Sequence, residues 1–315
     1  MLAYQFPGQG AQLPGFLHRL PQQPVVRETL DEASQVLGTD VLALDTPEAL
    51  RSTVAVQVGL VVAGVATVRV LADAQLTPDI SAGLSVGAYA AAVSCGALQF
   101  DDALRMVRKR AELMEAAYPS GYGLAAVSGL TERQLENLAA EQAHEGLPRV
   151  YVGNVNAPRQ IVMAGADAAL DALIERALAA GARKATRLAV SVPSHCELLA
   201  DAANELADYA REVPFHTPRS IYVDNRGGRP LHTAEAIRDD LTTNMRYTVR
   251  WFDALTVILE MGAQVLVEAP PGQVLTDIVR ENWPEAAVIA AIAASSIAPD
   301  RLIATVRRRL AAGER

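Results

Sequence analysis

The chain has 315 residues, 50% of them apolar and 20% charged, enough to bury a sizeable core in one large domain or two modest ones. Its net charge of −8, with no basic run, excludes nucleic acid and an anionic membrane as main partners but not a small anion held by local arginines. Two cysteines, Cys95 and Cys196, with no C-x-x-C spacing, fit a reduced cytoplasmic protein without a zinc site, and Met1-Leu2-Ala3-Tyr4-Gln5-Phe6 lacks the basic segment of a signal peptide.

Ala3 to Phe6 reads as a first strand. Pro7-Gly8-Gln9-Gly10-Ala11-Gln12 follows as a loop whose glycines leave backbone N–H groups accessible beside the strand end. Pro24 to Leu37 is a predicted helix, and Thr46-Pro47-Glu48 opens a short one through Leu50. The most apolar stretch, Val54 to Ala72, contains Gln57, Arg69 and two glycines, which predicts a buried helix rather than a membrane span.

A short strand then enters Gly83-Leu84-Ser85-Val86-Gly87, and an alanine-rich helix leaves it. G-x-S-x-G between a strand and a helix has the form of a nucleophile elbow, a strained turn that presents a serine hydroxyl. The following helix N-terminus points N–H groups at any oxyanion formed there. Taken alone the pattern is an ordinary glycine-flanked turn; the flanking strand and helix favour the catalytic reading.

Phe100-Asp101-Asp102 starts another helix, with Asp101 as the expected N-cap. At 100° per residue, Ala103, Met106, Val107, Leu113, Met114 and Ala117 lie within about 60° of Arg110, while Arg105, Arg108, Glu112 and Glu115 lie opposite. Arg110 is therefore centred on the apolar face. Two readings stand: a guanidinium that has an anionic partner or reaches into a cavity, or an arginine whose stem packs while its head reaches water.

From residue 122 to 192 the pattern is strand (Gly123–Gly129), helix (Thr131–Glu145), strand (Val150–Asn154), turn at Asn156-Ala157-Pro158-Arg159, strand (Gln160–Ala164), helix (Ala168–Ala180), strand (Lys184–Val192). This β-α-β-β-α-β order is that of the ferredoxin-like split unit, expected as a subdomain inserted into a larger part made of residues 1–121 and 193–315.

Ser194 and Glu197 form a capping-box pattern, which puts His195 in the first turn of a helix, where the positive helix end disfavours the imidazolium and suits a neutral general base. His18, His144, His216 and His232 sit in loop or polar-helix contexts and read as structural. Cys196 reads as a core cysteine rather than a nucleophile, because neighbouring side chains in a helical turn diverge by about 100°. Beyond a helix to about Arg211, Ile221–Val223 and Arg229–His232 flank Asn225-Arg226-Gly227-Gly228 as a hairpin. Helices over Ala234–Leu241 and Val249–Met261, a strand over Gln264–Val267, a helix to about Arg280, a strand over Val288–Ile292 and a terminal helix over Pro299–Ala312 complete the chain.

Phe6-Pro7-Gly8-Gln9-Gly10-Ala11-Gln12, Gly83-Leu84-Ser85-Val86-Gly87, Arg110, Ser191-Val192-Pro193-Ser194-His195-Cys196 and Pro271-Gly272-Gln273-Val274-Leu275-Thr276 occur in the order seen in malonyl-CoA:acyl-carrier-protein transacylases. The resemblance spans nearly the whole chain. It implies an α/β fold, with an α/β-hydrolase-like core carrying a parallel sheet and the inserted ferredoxin-like subdomain as one wall of the cleft. It also implies Ser85 as the acylated nucleophile, His195 as its base and later acid, and Arg110 as the grip on the malonyl carboxylate. Gln9 and Val86 resemble the oxyanion-hole positions, through their backbone N–H groups. Asn244 resembles the position whose backbone carbonyl orients the histidine, and Gln57 a polar pocket residue. No metal and no covalently bound cofactor are implied; the substrate is malonyl-CoA and the partner an acyl-carrier protein.

Two departures stand out. The family usually has histidine before the serine and glutamate after the second glycine, where this chain has Leu84 and Ala88, and it usually reads G-P-G where this chain has Pro270-Pro271-Gly272. With Gln12-Leu13-Pro14-Gly15 and the run from Ala117 to Gly123, these resemble the branch that serves as the epsilon (transacylase) subunit of malonate decarboxylase, whose acceptor is the carrier subunit of that complex. The fatty-acid-synthesis transacylase and a serine thioesterase or hydrolase are the alternatives.

Overall fold

The computed structural model describes residues 1–284 and 289–313. The chain begins with β1 (Leu2–Phe6), α1 (Pro24–Leu37) and α2 (Thr53–Asp73). Pro24 fits the first turn of α1, and Gly38 closes it in the left-handed conformation. The Ser52 hydroxyl caps α2. Instead of the short helix expected from Thr46, there are two single 3-10 turns, Val41–Asp45 and Ala49–Arg51. Then come β2 (Ile80–Gly83), α3 (Gly87–Ser94) and α4 (Phe100–Ala117). Asp101 does not cap α4; Gln99 occupies that position with no side-chain bond, and Asp101 pairs with Arg105 one turn on.

Over residues 122–187 run β3 (Tyr122–Ser128), α5 (Glu132–His144), β4 (Tyr151–Ala157), β5 (Gln160–Ala166), α6 (Asp167–Ala179) and β6 (Lys184–Arg187). The strands form an antiparallel sheet in the order β4-β5-β3-β6. Thr131 and Gln134 close a full capping box on α5. The strand expected to reach Val192 stops at Arg187, and its last bond to β3 is from the Leu188 N–H to the Leu124 carbonyl. The turn expected from Asn156 is tighter, with β4 continuing to Ala157.

The remainder is α7 (Ala200–Tyr209), β7 (Ile221–Val223), β8 (Pro230–Leu231), α8 (Ala234–Thr243), α9 (Trp251–Glu260), β9 (Val265–Glu268), α10 (Val274–Asn282), β10 (Ala290–Ala293) and α11 (Pro299–Gly313). Val288, the expected start of the last strand, lies outside the described residues. Helix α9 starts later than expected because Val249 is drawn into a bridge with β4: its N–H donates to the Gly153 carbonyl and its carbonyl accepts from Val155.

The larger sheet has the order β10-β9-β1-β2-β7-β8, parallel except for the β7–β8 hairpin. Its residues alternate between two cores. Tyr4, Phe6, Val265 and Val267 face α1 to α4, while Ala3, Ile80, Ala82 and Leu266 face α9 and α10. The carboxyl ends of β1, β2 and β7 converge on one edge and deliver the Gln9 loop, Ser85 and Asn225 there. A crevice at the carboxyl ends of a parallel sheet is where such folds place ligands.

Candidate active site

Ser85 occupies the turn between β2 and α3 with φ 56°, a strained left-handed conformation for a side-chain-bearing residue. The flanking glycines are required by close approach. A Cβ at Gly83 would lie 2.0 Å from the Gly87 carbonyl carbon, and one at Gly87 would lie 2.2 Å from the Phe6 carbonyl oxygen. The elbow is also held from outside, by the Ser85 N–H donating to Asn225 Oδ1 at 2.7 Å.

The Ser85 hydroxyl lies 2.7 Å from His195 Nε2. The other ring nitrogen, Nδ1, lies 2.8 Å from the Asn244 backbone carbonyl. A carbonyl only accepts, so Nδ1 carries the hydrogen and Nε2 is free to take the serine proton. The expected helical setting of His195 is not what forms. Its φ of 68° is incompatible with a helical turn, and its N–H donates to the Met245 carbonyl at 2.7 Å. The Ser194 hydroxyl turns back to the Val192 carbonyl, and helix begins only with a 3-10 turn at Glu197–Leu199. The imidazole is neutral for a different reason from the one expected. Burial, then the nearby Arg110 charge, lower its pKa to about 4, against smaller opposing contributions from Asn244 and Tyr247.

Arg110 projects from the apolar face of α4 and is fully buried. The stripe is shorter than expected, since Ala117 is exposed and Glu115 turns inward to cap α2, its carboxylate accepting from Ser52 Oγ. The guanidinium donates to Gln57 Oε1 at 2.5 Å, Asn244 Oδ1 at 3.2 Å and Ser85 Oγ at 3.3 Å. None of these oxygens is charged, Arg110 forms no ion pair among the described residues, and its Nε has no partner there. Burial pulls its pKa down. The arginine whose head reaches water is not the one present: the guanidinium is held inside by Gln57, Asn244 and Ser85.

Gln57 stands one turn into α2, with Oε1 on Arg110 and Nε2 3.5 Å from Met114 Sδ. Gln9 and Val86 line the same small cavity of about 40 Å³ beside Ser85, with Leu84, Asn154 and Ser194. Neither the Gln9 nor the Val86 backbone N–H meets an acceptor among the described residues. All seven residues singled out in the sequence thus meet at one place. Sequence reasoning missed Asn225, because Asn225-Arg226-Gly227-Gly228 reads as turn chemistry, and it missed Asn154, which lies in an unremarkable strand. Leu84, beside the nucleophile, fills the space left by Gly8, where a Cβ would stand 2.6 Å from Leu84 Cδ2.

A serine and a neutral imidazole at an elbow, with free N–H groups to one side, define acyl-transfer chemistry. The model of the acyl transferase domain matches residues 3–312, and the chain belongs to this family of enzymes. It is 38% identical over 285 residues to the malonyl CoA-acyl carrier protein transacylase of Haemophilus influenzae, covering 88% of this chain and 91% of that protein. The Escherichia coli K12 transacylase of the same name is 37% identical over 284 residues, with the same shares covered. The solved transacylase of Coxiella burnetii superposes with a TM-score of 0.90 at 34% identity, covering 98% of this chain and 97% of that one. A malonyl-transacylase solved in complex with a type II polyketide acyl-carrier protein superposes with a TM-score of 0.85 at 36% identity, covering 93% and 94%.

Proposed function

We propose that this chain moves a malonyl group from malonyl-CoA to the thiol of an acyl-carrier protein through a malonyl-Ser85 intermediate. The observation that carries the reading is the buried Arg110 guanidinium, 3.3 Å from the Ser85 hydroxyl and paired with no carboxylate among the described residues. A charge without a counter-ion beside a nucleophile suits an acyl group that brings its own carboxylate.

Ser85 Oγ attacks the thioester carbonyl while His195 Nε2 takes its proton. The tetrahedral oxyanion is held by the Gln9 and Val86 N–H groups, an effect worth about 3–4 kcal/mol per donor in comparable sites. The carbon–sulfur bond breaks, and the imidazolium returns the proton to the departing CoA thiolate. The carrier's thiol then attacks the serine ester by the same steps in reverse, giving up its proton through His195 to Ser85 Oγ. The Asn244 carbonyl stabilises the imidazolium at each stage, in place of a triad acid. The site works as a Ser-His dyad, with no covalently bound cofactor.

The supporting organisation is an α/β-hydrolase-like core, residues 1–121 and 193–315, with residues 122–192 inserted as a ferredoxin-like wall, in a cytoplasmic enzyme. The strand order β4-β5-β3-β6 and the parallel larger sheet support this division. The names of the relatives favour an acyl-carrier protein as acceptor. A second reading, the epsilon subunit of malonate decarboxylase with that complex's carrier as acceptor, rests on sequence resemblance alone: Leu84, Ala88, Pro270-Pro271, Gln12-Leu13-Pro14-Gly15 and the run from Ala117 to Gly123. Offering both carriers to the malonylated enzyme decides between them by which thiol is loaded faster. Mass spectrometry after mixing with malonyl-CoA should show a malonyl adduct on Ser85 that is absent in Ser85→Ala. No adduct would sink the covalent mechanism, and rapid release of free malonate without a carrier would identify a hydrolase instead.

A further inference from the structure

Asn225 is pinned at three points. Its N–H donates to Asp240 Oδ1 at 3.2 Å, its carbonyl accepts from the Arg250 N–H at 2.8 Å, and its side-chain oxygen accepts from the Ser85 N–H at 2.7 Å. Asp240, on α8, is fixed in turn by the Tyr222 hydroxyl at 2.5 Å. All of this is buried: Asn225 is 3% exposed, Asp240 5% and Tyr222 0%. Both backbone groups of Asn225 are held, and its side-chain oxygen points at the elbow.

We propose that Asn225 is a positioning residue for acyl transfer: held by Asp240 and the Arg250 N–H, its side-chain oxygen fixes the Ser85 N–H and so maintains the left-handed turn that aims the serine hydroxyl and the Val86 N–H. The inference rests on Ser85 being the nucleophile. Left-handed backbone at a side-chain-bearing residue relaxes unless its surroundings over-determine it. The two elbow glycines permit the turn but do not hold it. A buried acceptor on the Ser85 N–H does, and it also keeps that N–H, which adjoins the reacting oxygen, from competing with Gln9 and Val86 for the oxyanion. Relaxation of the turn would move the attacking oxygen relative to the oxyanion donors while leaving Arg110 and Gln57, on other helices, able to bind the acyl group. The defect therefore belongs in kcat and not in KM.

The test is steady-state malonyl transfer, with thermal melting, on the full chain carrying Asn225→Ala or Asn225→Asp. Asn225→Ala should lower kcat by about tenfold to a hundredfold, the range for small misplacements of reacting groups, with KM for malonyl-CoA within about twofold of the parent's. Asn225→Asp, which keeps an acceptor oxygen, should recover most of the loss. If Asn225→Ala does not fold, Asn225→Ser, too short to reach Ser85, takes its place against Asn225→Asp. A kcat unchanged in the truncated variant, or an equal loss in both variants, overturns the proposal. Mass spectrometry of the parent enzyme separates the two readings: without a malonyl-Ser85 adduct the functional assignment fails, whereas an adduct with an indifferent Asn225 removes only the positioning role.

Discussion

Among the described residues Arg110 meets three oxygens and none is charged, so its burial leaves a cation desolvated. Charge-assisted pairing with a carboxylate offsets that cost, and an acetyl group cannot supply it. Arg110→Ala should therefore lower kcat/KM for malonyl-CoA by about a hundredfold or more, while transfer from acetyl-CoA is kept or gained. Equal losses for both acyl groups would make Arg110 a packing residue. Two of its contacts also join the clamp to the base. Arg110 touches the Ser85 hydroxyl, and Asn244 offers its side chain to Arg110 and its carbonyl to His195. The guanidinium charge helps hold the His195 pKa at about 4. An anion paired with Arg110 should raise it, so that, on the proposed mechanism, His195 becomes a stronger base when an acidic acyl group arrives. Following the His195 ring proton by NMR should give a midpoint near pH 4 in the free enzyme and a higher one with malonate bound. An unchanged or lower midpoint would break the link. Arg110 was legible in the sequence because a charge at the centre of an apolar stripe is an anomaly that periodicity exposes. Asn225 was not, because asparagine before Arg-Gly-Gly already has a sufficient local explanation.

Helix α8 supports the site from behind. Its Asp240 anchors Asn225, its Leu241 carbonyl accepts from the Tyr89 hydroxyl on the elbow helix, and its end delivers Asn244. Burial, opposed by the Tyr222 hydroxyl and by Asn225 and aided by Asp224, raises the Asp240 pKa from 3.8 to about 7. The folded state then binds a proton more tightly than the unfolded one, so this group's stabilisation is present below pH 3.8 and is lost as pH rises towards 7. His195, neutral when folded, has the opposite slope between pH 4 and 6.5. In the parent the two oppose each other over that range. Asp240→Asn should therefore make urea-measured stability rise more steeply from pH 4 to 6.5 than the parent's, by up to about 1.4 kcal/mol per pH unit. The same profile in variant and parent would mean Asp240 does not titrate in this window. Element types along the chain follow from periodicity and capping residues, but boundaries next to the site do not. The Val249 bridge to β4 and the turn at His195 depend on partners distant in sequence, which no local pattern encodes.

At the scale of the whole molecule, the β-α-β-β-α-β order was readable because its strand pairings, β3 with β5 and β6 and β4 with β5, all close within one continuous stretch of chain. The larger sheet's order was not, because β1 is the central strand and one of its two neighbours, β9, arrives at the far end of the chain: Leu2 to Gln5 pair with Val265 to Glu268. Pairings of such long separation form late, since closing the loop costs entropy before any contact repays it. Pulse-labelled hydrogen exchange during refolding should find β3 and β5 protected before β1 and β9; simultaneous protection would mean the whole chain folds as one unit. During synthesis the consequence is chemical as well as structural. Ser85 leaves the ribosome long before His195, Asn225 and Asn244 exist. On the roles proposed above, a partial chain therefore carries an alcohol with no base to activate it and nothing to hold its turn, and so cannot attack a thioester.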